Sequence, residues 1–353
     1  MPITESARRA PAPDRALILG IESSCDETAA AVLRGRAILA NIVASQIEVH
    51  REFGGVVPEL ASRHHLEQID LVIDLALRRA GVGLEAIDAV AVTCGPGLVG
   101  SLLVGLQTAK AIAYVRGVPL LAVNHLEGHL RSVWLEHGEV PTPALSLIAS
   151  GGHTSLYLSP TEDEVIPMAR TRDDAAGEAF DKVAKLLGLG YPGGPVVDRL
   201  APGGNPSAVR LSPPKMSDGS LDFSFSGFKT AVLRHAQAHH LAAAYPAPEP
   251  GQATRDLVAS FQSAVVEFMV DRLMTVAQRE RVRSLCLSGG VACNSLLRAR
   301  VAAEAASAGL RSFAVSPNLA VDNAAMIAFV GGRKLARGEV ADLSQNADPG
   351  LEI

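Results

Sequence analysis

Two histidines four residues apart, His125 and His129, are the side chains best spaced to bind one metal ion together. On a helix, residues i and i+4 lie on the same face, so both imidazoles can reach one ion. Histidines that are simply packed or solvated can have the same spacing, and spacing alone does not separate the two interpretations. A zinc-protease motif has its glutamate next to the first histidine, whereas Glu127 lies two residues on, about 200° around the helix. This arrangement disfavours a protease.

A metal site here needs a third ligand from elsewhere in the chain, and Asp322 is the candidate. It opens the segment DNAAMIA, which is predicted to be helical, so its carboxylate could point into a site. Two imidazoles and one carboxylate suit ferrous iron or zinc better than calcium or magnesium. Coordination positions left open would let the ion act as a Lewis acid.

A glycine-rich turn, Ser150-Gly151-Gly152-His153-Thr154, joins two apolar segments predicted as strands, 144–149 and 154–158. Amides beside glycine can approach a phosphate closely, and the hydroxyls add donors. An ordinary hairpin turn would have the same composition. The turn 22–28 is the matching unit near the start of the chain, and its acidic residues are Glu22, Asp26 and Glu27. They would need a metal or a cationic group beside a phosphate, or would simply be solvated.

Three further residues could contact a nucleotide. Asn294 follows the glycine turn 288–290 and could bond a ribose or a base. Asp181 and Asp198 flank the Gly193-Gly194 turn, where a carboxylate could bind ribose hydroxyls. Each signal is weak alone, because surface acids and glycine turns are common.

The net charge of −5 excludes a strongly basic footprint, so any nucleic-acid contact must come from a local patch. The candidate phosphate contacts are basic residues in or near the segment 191–250, with a scattered solvated surface as the alternative. They are Arg199, Arg210, Lys215, Lys229 and Arg234. Ser224 and Ser226 lie in the same segment, but no histidine or aspartate is placed by the sequence to activate either as a nucleophile.

The segments that position these residues occur twice. Each half of the chain has a strand–turn–strand unit, 17–33 and 144–158, and later a strand, a glycine turn and an amphipathic helix. This repetition indicates an internal duplication. With only 4% aromatic residues, the core is built from small aliphatic side chains, which suits α/β layers. We predict two duplicated domains similar to the actin-like (ASKHA, RNase H-like) superfamily, with the active site in the cleft between them.

We predict a first domain at 16–124, completed by a helix around 323–338, and a second domain at 125–322 with a loop-rich insert at 191–250. The residues outside these domains are predicted to be a disordered lead-in at 1–15 and a frayed tail at 339–353. Four cysteines without a CxxC pair favour a reducing compartment. The sequence has neither the apolar core of a signal peptide nor a membrane span, so a cytoplasmic protein is expected.

Taken together and in order, the motifs resemble the universal tRNA threonylcarbamoyladenosine transferase family (TsaD, Kae1 or Gcp), formerly described as O-sialoglycoprotein endopeptidases. The matching stretches run from Leu17 to about Gly332 and are GIESSCDETAAAV, GGVVPELASRHHLE, GPGLVGSLLVG, NHLEGHL, SGGHTSL, DDAAGEAFDKVAKLLGLGYPGGP, LDFSFSGFKT, LSGGVACNSLLR and DNAAMIA. Asn124 stands where some relatives have a third histidine, which should not affect a two-histidine site.

The resemblance implies an acyltransferase that modifies tRNA. The threonylcarbamoyl group would pass from L-threonylcarbamoyl-AMP to the N6 amine of the adenosine 3′ to the anticodon, in tRNAs reading codons that begin with A. The metal, Fe²⁺ foremost and Zn²⁺ as the alternative, would be bound by His125, His129 and Asp322. The residues that would hold the adenylate are Ile148, Ala149, Ser150, Gly151, Gly152, Asp181, Gly194, Asp198 and Asn294. The implied partners are tRNA, an inactive paralogue (TsaB), a small ATPase (TsaE) and a separate enzyme that makes the donor.

Three alternatives remain at this point. A metalloprotease is disfavoured by the position of Glu127. A non-catalytic paralogue that only binds partners is disfavoured by the complete His–His–Asp set. An actin-like ATPase or small-molecule kinase is permitted by the fold.

Overall fold

The computed structural model describes residues 15–214, 216, 218–241 and 250–353. The predictions for the lead-in 1–14, for Lys215 and for the segment 242–249 lie outside these residues.

The described residues form two sheets and the helices around them. The strands are β1 (Leu17–Glu22), β2 (Glu27–Arg34), β3 (Ala37–Ser45), β4 (Ala89–Gly95), β5 (Leu120–Asn124), β6 (Ala144–Ala149), β7 (Thr154–Ser159), β8 (Ile166–Arg170), β9 (Ser284–Ser288) and β10 (Arg311–Ala314). The α-helices are α1 (Ile47–His50), α2 (Pro58–Ala80), α3 (Val99–Arg116), α4 (His125–His137), α5 (Ala176–Leu186), α6 (Gly193–Leu200), α7 (Ser226–Ala238), α8 (Gln252–Glu280), α9 (Ser295–Ser307), α10 (Pro317–Ala320) and α11 (Ala324–Ala336).

The two sheets have the same topology. The strand order is β3-β2-β1-β4-β5 in the first and β8-β7-β6-β9-β10 in the second. In each sheet the central strand pairs antiparallel with the next strand along the chain and parallel with a later one. The duplicated α/β architecture predicted from the repeated strand–turn–strand units is therefore confirmed.

The core of the first sheet depends on small residues. Every residue of β1 and β4 is buried, and α11 packs against both strands. A Cβ on Gly20 of β1 would lie 2.3 Å from the carbonyl oxygen of Ala324. Only glycine permits this approach, because no real Cβ atom sits so close to a backbone oxygen. The close approach fixes the start of α11 beside the end of β1.

The chain divides into two compact units. The first contains the described residues up to Gln46, Val56–Arg131 and Asp322–Ile353, and the second contains Ile47–Gly55 and Ser132–Val321. The predicted boundary after residue 124 differs from this division, which falls inside α4 after Arg131. A boundary inside a continuous helix carries no turn or composition signal, so the sequence pattern could not place it.

The C-terminal segment is tied to the first unit. Ala341 N donates to Leu120 O at 2.9 Å and Asp348 N donates to Cys94 O at 2.8 Å. The side-chain amide of Asn124 donates to the carbonyls of Leu351 and Glu352, at 3.3 Å in each case. These contacts differ from the frayed tail expected at 339–353. Polar composition suggested fraying, but the tail is held through its backbone, which composition does not reveal.

Candidate functional site

The two histidines of the motif lie in the first turns of α4, where β5 ends. Asn124, the last residue of β5, accepts hydrogen bonds through Oδ1 from the amides of Leu126 at 2.8 Å and Glu127 at 3.3 Å. It thereby caps the helix, because the first amides of a helix have no partner within it. His125 and His129 follow on one face, both buried.

The start of α11 brings Asp322 to the same place. Asn323 is buried and caps α11 by accepting a hydrogen bond from Met326 N at 3.1 Å. Gly128 of α4 lies against this helix, and a Cβ there would be 2.9 Å from Ile327 Cδ1. Because α4 and α11 pack closely at this glycine, Asp322, which precedes the capping residue Asn323, lies beside His125 and His129.

His125, His129 and Asp322, here called the His–His–Asp cluster, form a group that could hold a metal ion. Their potential ligand atoms all lie within 4.8 Å of one another. Asp322 Oδ1 is 3.0 Å from His129 Nε2 and 3.5 Å from His125 Nε2. The donor set of two imidazole nitrogens and one carboxylate fits a transition-metal ion. Glu127 lies near Lys334 instead, with 3.9 Å between Oε2 and Nζ, which agrees with its predicted direction away from the metal face.

The charges around the cluster favour a cation. Burial by itself lowers the pKa of His125, but the charges of Asp322 and Glu22 and the hydrogen bond to Glu22 outweigh it and raise the pKa to about 9. For Glu22, burial favours the neutral acid, but the charge of His125 and the hydrogen bonds from His125 and Thr93 together outweigh it and lower the pKa of the carboxyl group. The site therefore stabilises positive charge at His125, which is the electrostatic condition for binding a cation there.

Glu22 has a position that sequence reasoning missed. In the sequence it belongs to an acidic turn, which is expected beside a phosphate or in solvent. The structure instead buries it completely at the end of β1, with Oε2 3.0 Å from His125 Nδ1. The sequence does contain a signal for this position. Glu22 directly continues the apolar run of β1, and a charged side chain buried at the end of such a strand needs a partner of opposite charge or hydrogen-bond donors.

The rest of the turn after β1 is fixed by a buried histidine of α2. His65 Nδ1 lies 2.7 Å from Thr28 Oγ1, and its Nε2 lies 3.0 Å from the carbonyl oxygen of Cys25. Burial, followed by the charge of Asp26, raises the pKa values of the Cys25 thiol and the Glu27 carboxyl group well above their usual ranges. The acidic turn is therefore held by the protein and is not merely solvated.

In the second unit, the turn between β6 and β7 forms the expected hairpin. Ser150 N donates to His153 O at 2.8 Å, and His153 N donates to Ser150 Oγ at 3.2 Å. A Cβ on Gly151 or Gly152 would meet no atom of the described residues within 4 Å, and neither glycine has a positive φ. Neither protein packing nor backbone conformation requires glycine here, so close approach of a ligand remains a physical reason for it.

A second glycine turn reaches the same end of the sheet. Gly289 has a φ of 90°, and a Cβ there would lie 2.3 Å from Ala149 O, at the end of β6. The carboxyl ends of parallel strands are where ligands bind in α/β sheets, and β6 and β9 are parallel neighbours. Ile148 and Ala149 are themselves buried at this edge.

The polar candidates near these turns already have partners within the protein. Asp181 accepts a hydrogen bond from Gly193 N at 2.6 Å. Asp198 accepts from Ser295 Oγ at 2.8 Å, and Asn294 caps α9 by accepting from Leu297 N at 3.0 Å. These bonds hold α6 and α9 in place, a role that the sequence analysis did not assign. A Cβ on Gly194 would meet no atom within 4 Å in the part of the chain that the structure describes.

The basic residues proposed from sequence differ in their surroundings. Arg199, Arg210 and Arg234 are exposed. Lys229 forms an ion pair with Asp174, with 2.9 Å between Nζ and Oδ2. The other oxygen of Asp174 pairs with Lys182 at 2.8 Å, so two lysines share this carboxylate. Ser224 Oγ donates to Asp173 Oδ2 at 2.5 Å.

Solved structures share this fold at low sequence identity. A full-length HypF covers 92% of this chain and 56% of its own, with a TM-score of 0.59 at 13% identity. Component A of the Acidaminococcus fermentans (R)-2-hydroxyglutaryl-CoA dehydratase covers 91% of this chain and 99% of its own, with a TM-score of 0.52 at 14% identity. Such likeness shows the fold alone. Fold and site together define an actin-like α/β protein with a group that could hold a metal ion.

The sequence comparisons are more specific. The model of the family described as "TsaD: tRNA N6-adenosine threonylcarbamoyltransferase" matches residues 37–329. The tRNA N6-adenosine threonylcarbamoyltransferase of Geobacter metallireducens is 53% identical over 332 residues, which are 94% of this chain and 95% of that protein. The protein of the same name from Clostridium perfringens is 47% identical over 341 residues, 96% of this chain and 99% of that protein. The chain belongs to the tRNA N6-adenosine threonylcarbamoyltransferase family.

Among the described residues, no helix combines the length and the apolar character needed to cross a membrane.

Proposed function

We propose that this protein transfers the L-threonylcarbamoyl group from threonylcarbamoyl-AMP to the N6 amine of the adenosine 3′ to the anticodon, in tRNAs that read codons beginning with A. Family membership supports this reaction. The observation that carries it is the complete His–His–Asp cluster, whose ligand atoms lie within 4.8 Å of one another. A non-catalytic paralogue would have no need to keep that set together.

The ion we propose for the cluster is Fe²⁺, with Zn²⁺ as the alternative. Both accept mixed nitrogen and oxygen ligands of this kind. When bound, such an ion supplies Lewis-acid stabilisation of negative charge on a donor oxygen. His125, His129 and the Asp322 carboxylate would hold it, and the Nε2 atoms of both histidines already face that carboxylate.

The second unit supplies the groups proposed to hold the adenylate. The turn at Ser150 to Gly152 presents amides and a hydroxyl beside open space, which suits a phosphate. Asp181, Gly194, Asp198 and Asn294 are proposed to line the nucleoside side. Since Asp181 and Asp198 already accept hydrogen bonds from the protein, a ribose hydroxyl would bind their remaining lone pairs.

The chemistry requires no covalent nucleophile. A carbamoyl–phosphate mixed anhydride is already activated, so the enzyme must position the amine, stabilise the developing oxyanion and bind the AMP that leaves. The carbamoyl carbon forms a bond to N6 of adenosine while its bond to the phosphate oxygen breaks. The N6 proton is lost and AMP departs as the phosphate anion.

The proposed tRNA contacts are phosphate contacts by basic side chains, and the set also includes Lys215 and Lys229. Arg199, Arg210 and Arg234 are exposed and can reach a phosphate backbone. Lys229 would first have to leave Asp174.

The proposed partners are a TsaB-like paralogue, a TsaE-like ATPase and the enzyme that makes the unstable donor. Leu71 and Leu75, one turn apart on α2, support a protein partner, because they are 56% and 51% exposed on the same side of the helix. We propose that these proteins work in the cytoplasm, where tRNA is available and the four cysteines would stay reduced.

The test is the transfer of labelled threonine. The protein is incubated with fresh threonylcarbamoyl-AMP, the partner proteins and unmodified tRNA, and the digested tRNA is searched for threonylcarbamoyladenosine by mass spectrometry. Product that disappears with Asp322→Ala is expected. No product from the wild-type protein, with intact donor and competent partners, would refute the proposed reaction.

A further inference from the structure

Glu22 is a buried carboxylate with a complete set of partners. Its side chain is wholly buried, and its Oε1 accepts a hydrogen bond from Ser24 N at 2.6 Å. Its Oε2 accepts one from Thr93 Oγ1 at 2.7 Å and lies 3.0 Å from His125 Nδ1. Burying a charged carboxylate is costly unless hydrogen-bond donors replace the lost water. The fold supplies such donors to both oxygens of Glu22.

The contact with His125 is directional. Nδ1 of His125 faces Glu22, while Nε2 faces Asp322 at 3.5 Å. Glu22 is not among the residues of the His–His–Asp cluster, so its carboxylate lies behind the histidine and not in the candidate ligand set. The imidazole therefore lies between two carboxylates, one on each side.

A carboxylate can only accept a hydrogen bond, so it selects the tautomer of its partner. A neutral imidazole carries its proton on one nitrogen and an unprotonated lone pair on the other. With Glu22 accepting from Nδ1–H, the lone pair of His125 is at Nε2, where a metal ion must bind. Ser24 Oγ, 3.2 Å from Nδ1, fixes the same edge of the ring.

We propose that Glu22 is a positioning residue for the metal, which orients His125 and fixes the tautomer that binds the ion. The inference rests on the proposed function only in taking the His–His–Asp cluster as the metal site. Residues that orient a metal-binding histidine in this way contribute about 10- to 100-fold to metal affinity.

Two carboxylates near His125 allow a matched comparison. Glu22→Gln removes the negative charge next to Nδ1 of His125. The glutamine amide can turn either its oxygen or its NH₂ group toward Nδ1, so it no longer selects one tautomer. Glu127→Gln removes the same charge on α4 itself, two residues from His125, where the carboxylate lies near Lys334. A general charge effect would lower metal affinity in both variants, whereas positioning of the ring would lower it in Glu22→Gln.

The experiment measures binding of Co²⁺ to metal-free protein, by competition with a chelator and by the visible absorption of the bound ion. All variants carry His235→Ala and His239→Ala, so that this second histidine pair, on α7, binds no cobalt. We expect Glu22→Gln to bind Co²⁺ about 10- to 100-fold more weakly than the parent, with a changed absorption spectrum, and Glu127→Gln to match the parent. Circular dichroism checks that each metal-free variant is folded.

A second variant covers the case in which Glu22→Gln does not fold. Thr93→Val keeps the carboxylate and removes one of its donors, and we expect a smaller loss of Co²⁺ affinity, about several-fold. Parent-like affinity and spectrum in both Glu22→Gln and Thr93→Val would overturn the proposal, and so would an equal loss in Glu127→Gln. The Co²⁺ assay contains neither tRNA nor donor, so its result does not depend on the proposed reaction. If Co²⁺ binding is weakened by Glu22→Gln and not by Glu127→Gln, but the wild-type protein transfers no threonylcarbamoyl group, the proposed reaction is refuted and the role of Glu22 is supported.

Discussion

Two histidine pairs with the same spacing occur in this chain, and their surroundings differ completely. His125 and His129 lie on α4 with 4.7 Å between ring centroids, and both side chains are buried. His235 and His239 lie on α7 with 4.3 Å between centroids, and His239 is exposed. The HxxxH spacing therefore does not by itself distinguish a candidate metal site from an ordinary helix surface.

The difference lies in the carboxylates. Asp322 and Glu22 flank the first pair, whereas among the described residues no third histidine, cysteine or acidic residue completes a potential metal group with the second. The pKa values follow this contrast. Asp322 and Glu22 overcome burial and raise the pKa of His125 to about 9, whereas burial, and after it the charge of His239, lowers the pKa of His235. The same spacing thus gives two different chemical environments.

The largest expected difference between the pairs is in metal content and transfer. His129→Ala should abolish stoichiometric metal binding and lower the transfer rate by about 100-fold or more, because even residues that only orient ligands contribute about 10- to 100-fold. His239→Ala makes the same change in the α7 pair and should leave both quantities at the wild-type level. Metal analysis and the threonylcarbamoyladenosine assay check this. Equal losses in the two variants would mean that the pairs are equivalent and that burial and carboxylates do not define the site.

The pH dependence of stability should separate the pairs next. In metal-free protein the folded-state pKa of His125 is about 9, above its unfolded value of about 6.5. Protonated His125 therefore contributes on the order of 3 kcal/mol to the free energy of unfolding. This contribution is fully present below pH 6.5 and is lost as the pH rises through about 9. The pKa of His235 is shifted the opposite way, so that histidine destabilises the fold as the pH falls below about 6.5.

Denaturant unfolding of metal-free protein at pH 6.5 and pH 9 measures the first effect, and NMR titration of the histidine ring protons measures both pKa values. His235→Ala should leave the alkaline loss of stability unchanged. A free energy of unfolding that stays constant or rises between pH 6.5 and pH 9 would contradict the charge balance inferred for the His–His–Asp cluster.

The parts of the fold that follow local pattern were predictable from sequence. The apolar runs around residues 17–21 and 144–149 became the central strands β1 and β6, and the repeated strand–turn–strand units indicated the duplication. Asp322 was chosen as the third ligand because it opens a helix, and the structure places it beside both histidines. Periodicity and capping signals act over a few residues, so sequence reasoning can use them.

The partners of Glu22 could not be derived in the same way. Its contact with Thr93 depends on the pairing of β1 with β4, and its contact with His125 depends on where α4 begins after β5. These residues are 71 and 103 positions away along the chain. The tail is a similar case, since its backbone bonds to Cys94 and Asn124 carry no side-chain signature.

The smallest expected difference concerns the glycines near each pair. Gly128→Ala would place a Cβ 2.9 Å from Ile327 Cδ1 and 3.1 Å from Met326 Cγ, so these two side chains of α11 must shift. We expect a loss of about 1–3 kcal/mol in the free energy of unfolding, together with weaker metal binding because Asp322 precedes α11. Gly227→Ala on α7 meets its nearest atom, Pro214 Cβ, at 3.9 Å, and should stabilise the protein by up to about 1 kcal/mol through helix propensity. Denaturant unfolding and Co²⁺ binding of the two variants test this prediction. If Gly128→Ala were as stable as Gly227→Ala and bound Co²⁺ as tightly, the His–His–Asp cluster would not depend on close packing of α4 against α11.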